Sequence, residues 1–95
     1  MNNDIEVIKR ASVPILKKAG VKKSAVFGST VRGDATEGSD IDILVELPRG
    51  KTLLDLAELQ YSLEDALGRD VDVVTYRAVS PLLKDKIYSN QVRIL

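Results

Sequence analysis

The sequence predicts a small α/β (α+β) domain, in which a β-sheet carries helices packed on one face. Helix-like and strand-like segments follow one another in the order helix, strand, strand, helix, strand, helix. The strand-like segments are short and rich in Val and Ile, whereas the first two helical segments each have one apolar face. With 95 residues and no repeat or linker, the chain is expected to form one domain, residues 1–95.

The first predicted helix runs from Asp4 to about Ala19 and ends at Gly20. Its apolar face repeats at three- and four-residue spacing and comprises Ile8, Ala11, Ile15 and Ala19. Pro14 interrupts the pattern, so that the helix either kinks there or restarts with Ser12 as its cap.

Two further helices carry clear end signals. Thr52 and Asp55 resemble a capping box, and Gly68 is placed to close the helix that they begin. The apolar face of this helix comprises Leu56, Leu59, Leu63 and Ala66. Ser80 and Pro81 have the order expected at the start of a last helix.

Three segments are predicted to be strands: Lys23–Gly28, Asp40–Leu47 and Asp70–Tyr76. The C-terminal "VRIL" can add another strand, and we expect it to expose apolar side chains that could serve an interface.

The composition excludes several kinds of chemistry. Without histidine or cysteine, the chain cannot form Ser-His-Asp triads, Cys-His pairs or the usual zinc sites. Its formal net charge is zero, which argues against stable nucleic-acid binding. No apolar run is long enough to span a membrane and the first ten residues lack a secretion signal, so a cytoplasmic location is expected.

Asp40 and Asp42 lie inside an otherwise apolar segment, "DIDILVEL". Alternate residues of a strand share a face, so both carboxylates should point the same way, with Cα atoms roughly 7 Å apart. Two such carboxylates repel one another, and a divalent cation such as Mg²⁺ would relieve the repulsion. The alternative is that both are solvated surface acids.

Asp72 has the same apolar flanks in "VDVV". If its strand lies beside that of Asp40 and Asp42, the three carboxylates converge and can hold two metal ions about 4 Å apart. Asp70, at the strand entrance, is expected to be a surface group. The same alternative applies to Asp72, which could be an isolated surface acid.

Gly28 and Ser29 precede a predicted helical turn. Glycine allows a phosphate to approach the backbone, and the N–H groups of a helix start can bind it. Ser29 could donate to the same anion or only cap the turn. Arg32, three residues further on, could contact phosphate or an acidic loop.

Gly28-Ser29, ten intervening residues and Asp40-x-Asp42 together resemble the signature of the DNA polymerase beta superfamily. More closely, "FGSTVRGDATEGSDIDILVEL" is similar to the minimal nucleotidyltransferases (MNT proteins), and "GRDVDVVT" matches their third carboxylate at Asp72. The resemblance covers nearly the whole chain. It implies the nucleotidyltransferase fold, a small mixed β-sheet backed by helices. It also implies that Asp40, Asp42 and Asp72 are the catalytic and metal-binding residues, and that Gly28, Ser29 and Arg32 bind the nucleotide.

The resemblance also implies a function and a partner. MNT proteins occur beside HEPN proteins, and the pair resembles a toxin–antitoxin system in which the MNT member transfers AMP from ATP to a tyrosine of the toxin. It therefore implies Mg²⁺, which Mn²⁺ can replace, and ATP as substrate. The alternatives are an antitoxin that neutralises its partner by binding alone, and transfer to RNA or a small molecule. Whether the chain forms homodimers or hetero-oligomers is left open.

Overall fold

A computed structural model of the protein describes residues 3–28, Val31 and residues 40–95. Its elements are α1 (Asn3–Lys18), β1 (Lys23–Phe27), β2 (Ile41–Glu46), α2 (Leu53–Leu67), β3 (Val71–Thr75), a 3-10 turn (Tyr76–Ala78), α3 (Pro81–Ser89) and β4 (Gln91–Arg93). The predicted order of helices and strands is confirmed, including the additional strand at the C-terminus.

The four strands form one mixed sheet in the order β3-β2-β1-β4. Strand β1 is antiparallel to both β2 and β4, whereas β2 and β3 are parallel. A parallel pair requires a crossover connection, and α2 provides it. The prediction of a mixed sheet is therefore confirmed.

The main apolar core lies between one face of the sheet and helices α1 and α2, which contact each other. The buried residues from these elements are Ile8, Leu16, Val26, Ile41, Ile43, Val45, Leu59, Leu63, Val71 and Val73. The opposite face is also covered at its centre, since Ala25 and Leu44 have no exposed surface and the 3-10 turn contacts β2. Helices α1 and α2 thus pack on the same face of the sheet, as predicted.

Helix α1 is continuous from Asn3 to Lys18, with Pro14 inside it. Of the two alternatives for Pro14, the restart at Ser12 is wrong, because Ser12 is fully buried in the middle of the helix. Its hydroxyl has no hydrogen-bond partner within the described part of the chain. The buried face is centred on Leu16 rather than Ile15, which is only partly buried.

Helix α2 begins and ends where its sequence predicts. Thr52 accepts a hydrogen bond from the Asp55 N–H and Asp55 accepts one from the Thr52 N–H, which completes the capping box. Gly68 adopts a left-handed conformation at the other end. The predicted apolar face is wrong in its last turn, where Ala66 is exposed and Leu67 packs against the core.

The C-terminal segment is not an exposed apolar patch, and that expectation was wrong. Ile94 is buried, and its N–H donates a hydrogen bond of 2.9 Å to the carbonyl of Ser24 in β1. The burial follows from the pairing of β4 with β1, which brings the chain end onto the core.

Among the described helices, none is long and apolar enough to cross a membrane.

Candidate active site

One row of residues runs across the sheet at the end where β1 stops and β2 and β3 begin. Asp42 is the register partner of Phe27 on β1 and of Asp72 on β3. Residues in register on neighbouring strands lie about 5 Å apart and point to the same face. The backbone therefore brings Asp42 and Asp72 side by side, next to the end of the glycine-bearing strand.

Gly28, the first residue after β1, is in direct contact with this row. Its φ is +77°, in the left-handed region that favours glycine, and a Cβ here would overlap a carboxylate oxygen of Asp42 and lie 3.2 Å from its Cγ. The Gly28 carbonyl accepts a hydrogen bond of 3.1 Å from the Val31 N–H, so the chain turns here. Glycine is thus required both by the turn and by the Asp42 side chain.

The three predicted ligand residues differ in exposure. Asp42 is half-buried, with Ile41 and Ile43 on the core side of the same strand, whereas Asp40 and Asp72 are exposed. No group of three acidic side chains in the described ranges is gathered closely enough to hold a metal ion. The structure therefore shows that Asp42 and Asp72 are in register on neighbouring strands. The metal-binding role of Asp40, Asp42 and Asp72 stays a prediction.

In the part of the chain that the structure describes, this end of the sheet carries four acidic residues, Asp40, Asp42, Asp70 and Asp72. The Ile41 N–H donates a hydrogen bond of 3.0 Å to the Asp70 carbonyl, which continues the parallel ladder and brings Asp70 to the level of Asp40. Asp70 is exposed, as expected of a surface group. Neighbouring carboxylates repel one another, and hard divalent cations prefer carboxylate oxygens as ligands. The donor set at this end therefore fits a cation such as Mg²⁺.

Two of the predicted nucleotide-binding residues, Ser29 and Arg32, lie outside the described residues, as does the loop from residue 33 to residue 39. Val31, between them, is described and packs against the core. The predicted roles of Ser29 and Arg32 therefore stay predictions, while Gly28 lies beside Asp42.

Gln91 belongs to the same row but was not predicted from the sequence. It is the register partner of Phe27 on β4, so it lies on the site face two strands away from Asp42. Its side-chain oxygen is buried and has no hydrogen-bond partner among the described residues. The sequence indicated a short C-terminal strand near Gln91, but it did not indicate that this strand would pair with β1.

Comparison with known proteins supports what the motif and the register indicate. The nucleotidyltransferase domain family matches residues 9–94, which is nearly the whole chain. The chain belongs to this family. The predicted fold class and the prediction of a nucleotidyltransferase enzyme are confirmed at this level.

Two relatives are similar over most of the chain. A candidate protein adenylyltransferase of Methanocaldococcus jannaschii is 53% identical over 92 residues, which cover 97% of this chain and 99% of that protein. The protein adenylyltransferase MntA of Thermococcus cleftensis is 46% identical over 72 residues, which cover 75% of this chain and 73% of that protein.

Two solved structures share the fold closely. A candidate minimal nucleotidyltransferase aligns with a TM-score of 0.81 and 36% identity, over 93% of this chain and 90% of that one. A toxin–antitoxin complex with AMP-PNP contains a chain that aligns with a TM-score of 0.80 and 26% identity, over 92% of this chain and 72% of that one. The recognition of a minimal nucleotidyltransferase is therefore confirmed.

Proposed function

We propose that this protein transfers AMP from ATP to a hydroxyl group of a HEPN toxin, with tyrosine as the acceptor residue, and thereby acts as its antitoxin. The observation that carries the proposal is that Asp42 and Asp72 are register partners on neighbouring strands and that Gly28, directly after β1, contacts Asp42. The names of the relatives support AMP transfer to protein, and the similar toxin–antitoxin complex with AMP-PNP supports both the kind of partner and an adenine nucleotide as substrate.

We propose that Asp40, Asp42 and Asp72 hold Mg²⁺, two ions when ATP is bound, and that Mn²⁺ can replace it. The carboxylate donors suit a hard divalent cation. When bound, the metal supplies charge neutralisation at the phosphates and lowers the pKa of the attacking hydroxyl.

The protein's own residues have distinct tasks in the proposed transfer. Gly28 leaves the backbone open to the triphosphate, and Ser29 and Arg32 bind its β- and γ-phosphates. Asp72, which is exposed and so accessible to a partner, accepts the proton of the acceptor hydroxyl. The hydroxyl oxygen forms a bond to the α-phosphorus, the bond from that phosphorus to the bridging oxygen breaks, and pyrophosphate leaves.

The test is incubation of the protein with ATP labelled at its α-phosphate, Mg²⁺ and the HEPN-type partner encoded beside it. We expect the label on the partner, and we expect Asp42→Asn to reduce the rate of labelling by at least ~10³-fold, which corresponds to ~4 kcal/mol of transition-state stabilisation. Asp65→Asn is the matched control, because Asp65 is an exposed aspartate on α2, away from the site. It should label the partner at the wild-type rate.

A second candidate function is neutralisation by binding alone. Large apolar side chains are exposed on α2 and at the start of α3, namely Leu53, Leu54, Tyr61 and Leu82. Such side chains suit a protein interface. Full neutralisation of the toxin by an Asp40→Asn/Asp42→Asn variant, with no label transferred by the wild type, would favour this function and contradict the enzymatic one.

The proposed reaction also has implications for where the protein acts and with what it assembles. We propose that residues 1–95 act as one unit in the cytoplasm, where ATP is available, and that the working form is a complex with the partner protein.

A further inference from the structure

A second concave site lies at the opposite end of the sheet from Asp42 and Asp72. It is a cavity of about 440 Å³, formed where β2 and β3 end and where the chain enters β1. Glu46, which lines it, is four residues beyond Asp42 on β2, so the two ends are roughly 13 Å apart along the strand. The cavity is thus separate from the candidate active site.

The cavity concentrates positive charge. Among the described residues that line it, four are cationic, Lys22, Arg49, Lys51 and Arg77, and one is acidic, Glu46. The local excess of three positive charges contrasts with a chain whose net charge is zero. One of the four, Lys51, also lies close enough to Asp55 for its positive charge to lower the pKa of that carboxyl group.

Two hydrogen-bonded turns hold the arginines at this site. The Lys51 N–H donates a hydrogen bond of 3.4 Å to the Pro48 carbonyl, and Gly50 has φ +89°, which together are typical of a type II turn that presents Arg49. After β3, the Ala78 N–H donates to the Thr75 hydroxyl at 3.3 Å, and Arg77 lies inside this 3-10 turn. Cations held on ordered turns lose less freedom when a ligand binds.

We propose that this basic cavity binds a small ligand that carries two or more phosphate groups, such as a free oligophosphate or a nucleotide. Arginine and lysine are the usual partners of phosphate oxygens, and the cavity volume lies within the range of small-molecule sites. Without a metal ion, such a polyanion is repelled by the acidic end of the sheet and attracted to the basic end. The site neither depends on the proposed transfer reaction nor serves it.

The test measures binding of inorganic tripolyphosphate by calorimetry in the presence of EDTA and at constant ionic strength. We expect Arg49→Gln/Arg77→Gln to weaken binding by at least about tenfold, since each charge-assisted hydrogen bond contributes about that factor. The matched control is Lys9→Gln/Arg10→Gln, which removes the same charge from exposed positions on α1. It should bind as the wild type does, within about twofold.

Further variants locate the ligand. Lys22→Gln alone should also weaken binding, whereas Asp42→Asn should leave it unchanged. ATP in EDTA should compete with tripolyphosphate if the source of the phosphates is a nucleotide, and a failure to compete would assign the site to free oligophosphate. The absence of tripolyphosphate binding, equal weakening in both double variants, loss of binding in Asp42→Asn, or binding of single-stranded RNA alone would each overturn the proposal.

Discussion

Among single residues, Gly28 is the position where backbone conformation and site chemistry depend on each other most directly. A side chain there would need a left-handed backbone and would occupy the space of the Asp42 carboxylate. The sequence pattern already indicated glycine for phosphate approach. The contact with Asp42 adds a second reason, which only the pairing of β1 with β2 provides.

Gly28→Ala is therefore expected to impair both stability and nucleotide binding. The left-handed conformation costs an alanine about 1–2 kcal/mol, and the Asp42 side chain must move in addition. Chemical denaturation should show the loss of stability. We also expect Mg²⁺ with ATP to raise the melting temperature by binding at this site, and this increase should be smaller in Gly28→Ala.

Gly68→Ala provides the control for this substitution. Gly68 has a φ of +65°, and a Cβ there would meet no atom within 4 Å, so only the backbone cost applies. It should lower stability but keep the full response to Mg²⁺ and ATP. An equal loss of response in both variants would show that the contact between Gly28 and Asp42 is irrelevant to the site.

Sequence reasoning singled out residues that have a local signal and missed a residue that reaches the row only through distant strand pairing. Asp42 and Asp72 interrupt apolar strands, and this pattern is visible in a few neighbouring residues. Gln91 joins the row only because β4 pairs with β1, more than sixty positions earlier in the chain. Nothing local to Gln91 indicates that neighbour.

Among the elements, α2 shows most clearly how end signals determine structure. The Thr52 N–H donates to the Asp55 carboxylate at 2.8 Å, and this hydrogen bond is the main reason that the pKa of Asp55 lies below its ordinary value of 3.8. The Thr52 hydroxyl and the charge of Lys51 lower this pKa further, while partial burial opposes them. The cap is therefore strongest when Asp55 is ionised.

The contribution of Asp55 to stability should consequently depend on pH. Because its folded-state pKa is lowered, the contribution is complete above the ordinary value of 3.8 and is lost as the pH falls through the lowered value. We expect Asp55→Asn to be less stable than the wild type at pH 6, with the difference shrinking below pH ~3.8. Denaturation midpoints across this range, with Asp65→Asn as the control on the same helix, would measure it. A difference that stays constant with pH would contradict the capping role.

Helix α1 shows where an end signal can mislead. Ser12 and Pro14 have the order of a helix start, yet the helix continues through both. An interior proline costs about 3 kcal/mol, but burying Ile8 on one side of it and Leu16 on the other offsets that cost. The proline is visible in the local sequence. The burial of Ile8 and Leu16, which compensates for it, depends on contacts with the β-strands and with α2, which are distant in the chain.

At the scale of the whole molecule, the sheet separates charges that the composition hides. The end with Asp40, Asp42, Asp70 and Asp72 is acidic, and the end with Lys22, Arg49, Lys51 and Arg77 is basic. A net charge of zero gave no indication of this separation. It follows from strand direction, because the parallel strands β2 and β3 both begin at the acidic end and finish at the basic end.

The cluster of acidic residues at one end of the sheet should make the melting temperature of the whole protein depend on Mg²⁺ and ATP. Neighbouring carboxylates repel one another without a cation, so Mg²⁺ with ATP should stabilise the folded state. A ligand at 100 times its dissociation constant contributes roughly 2.7 kcal/mol, which for a domain of this size raises the melting temperature by on the order of 10 °C. Thermal melts with and without Mg²⁺ and ATP would measure the increase.

Asp72→Asn should reduce this increase while leaving the metal-free melting temperature unchanged or slightly raised. Asp72 is exposed beside Asp42, so neutralising it removes a repulsive neighbour at little cost in packing. Asp65→Asn, exposed on α2, should keep the full increase. If Asp72→Asn responded to Mg²⁺ and ATP as fully as Asp65→Asn does, the acids at this end would be independent surface charges, and the metal site would have to lie elsewhere in the chain.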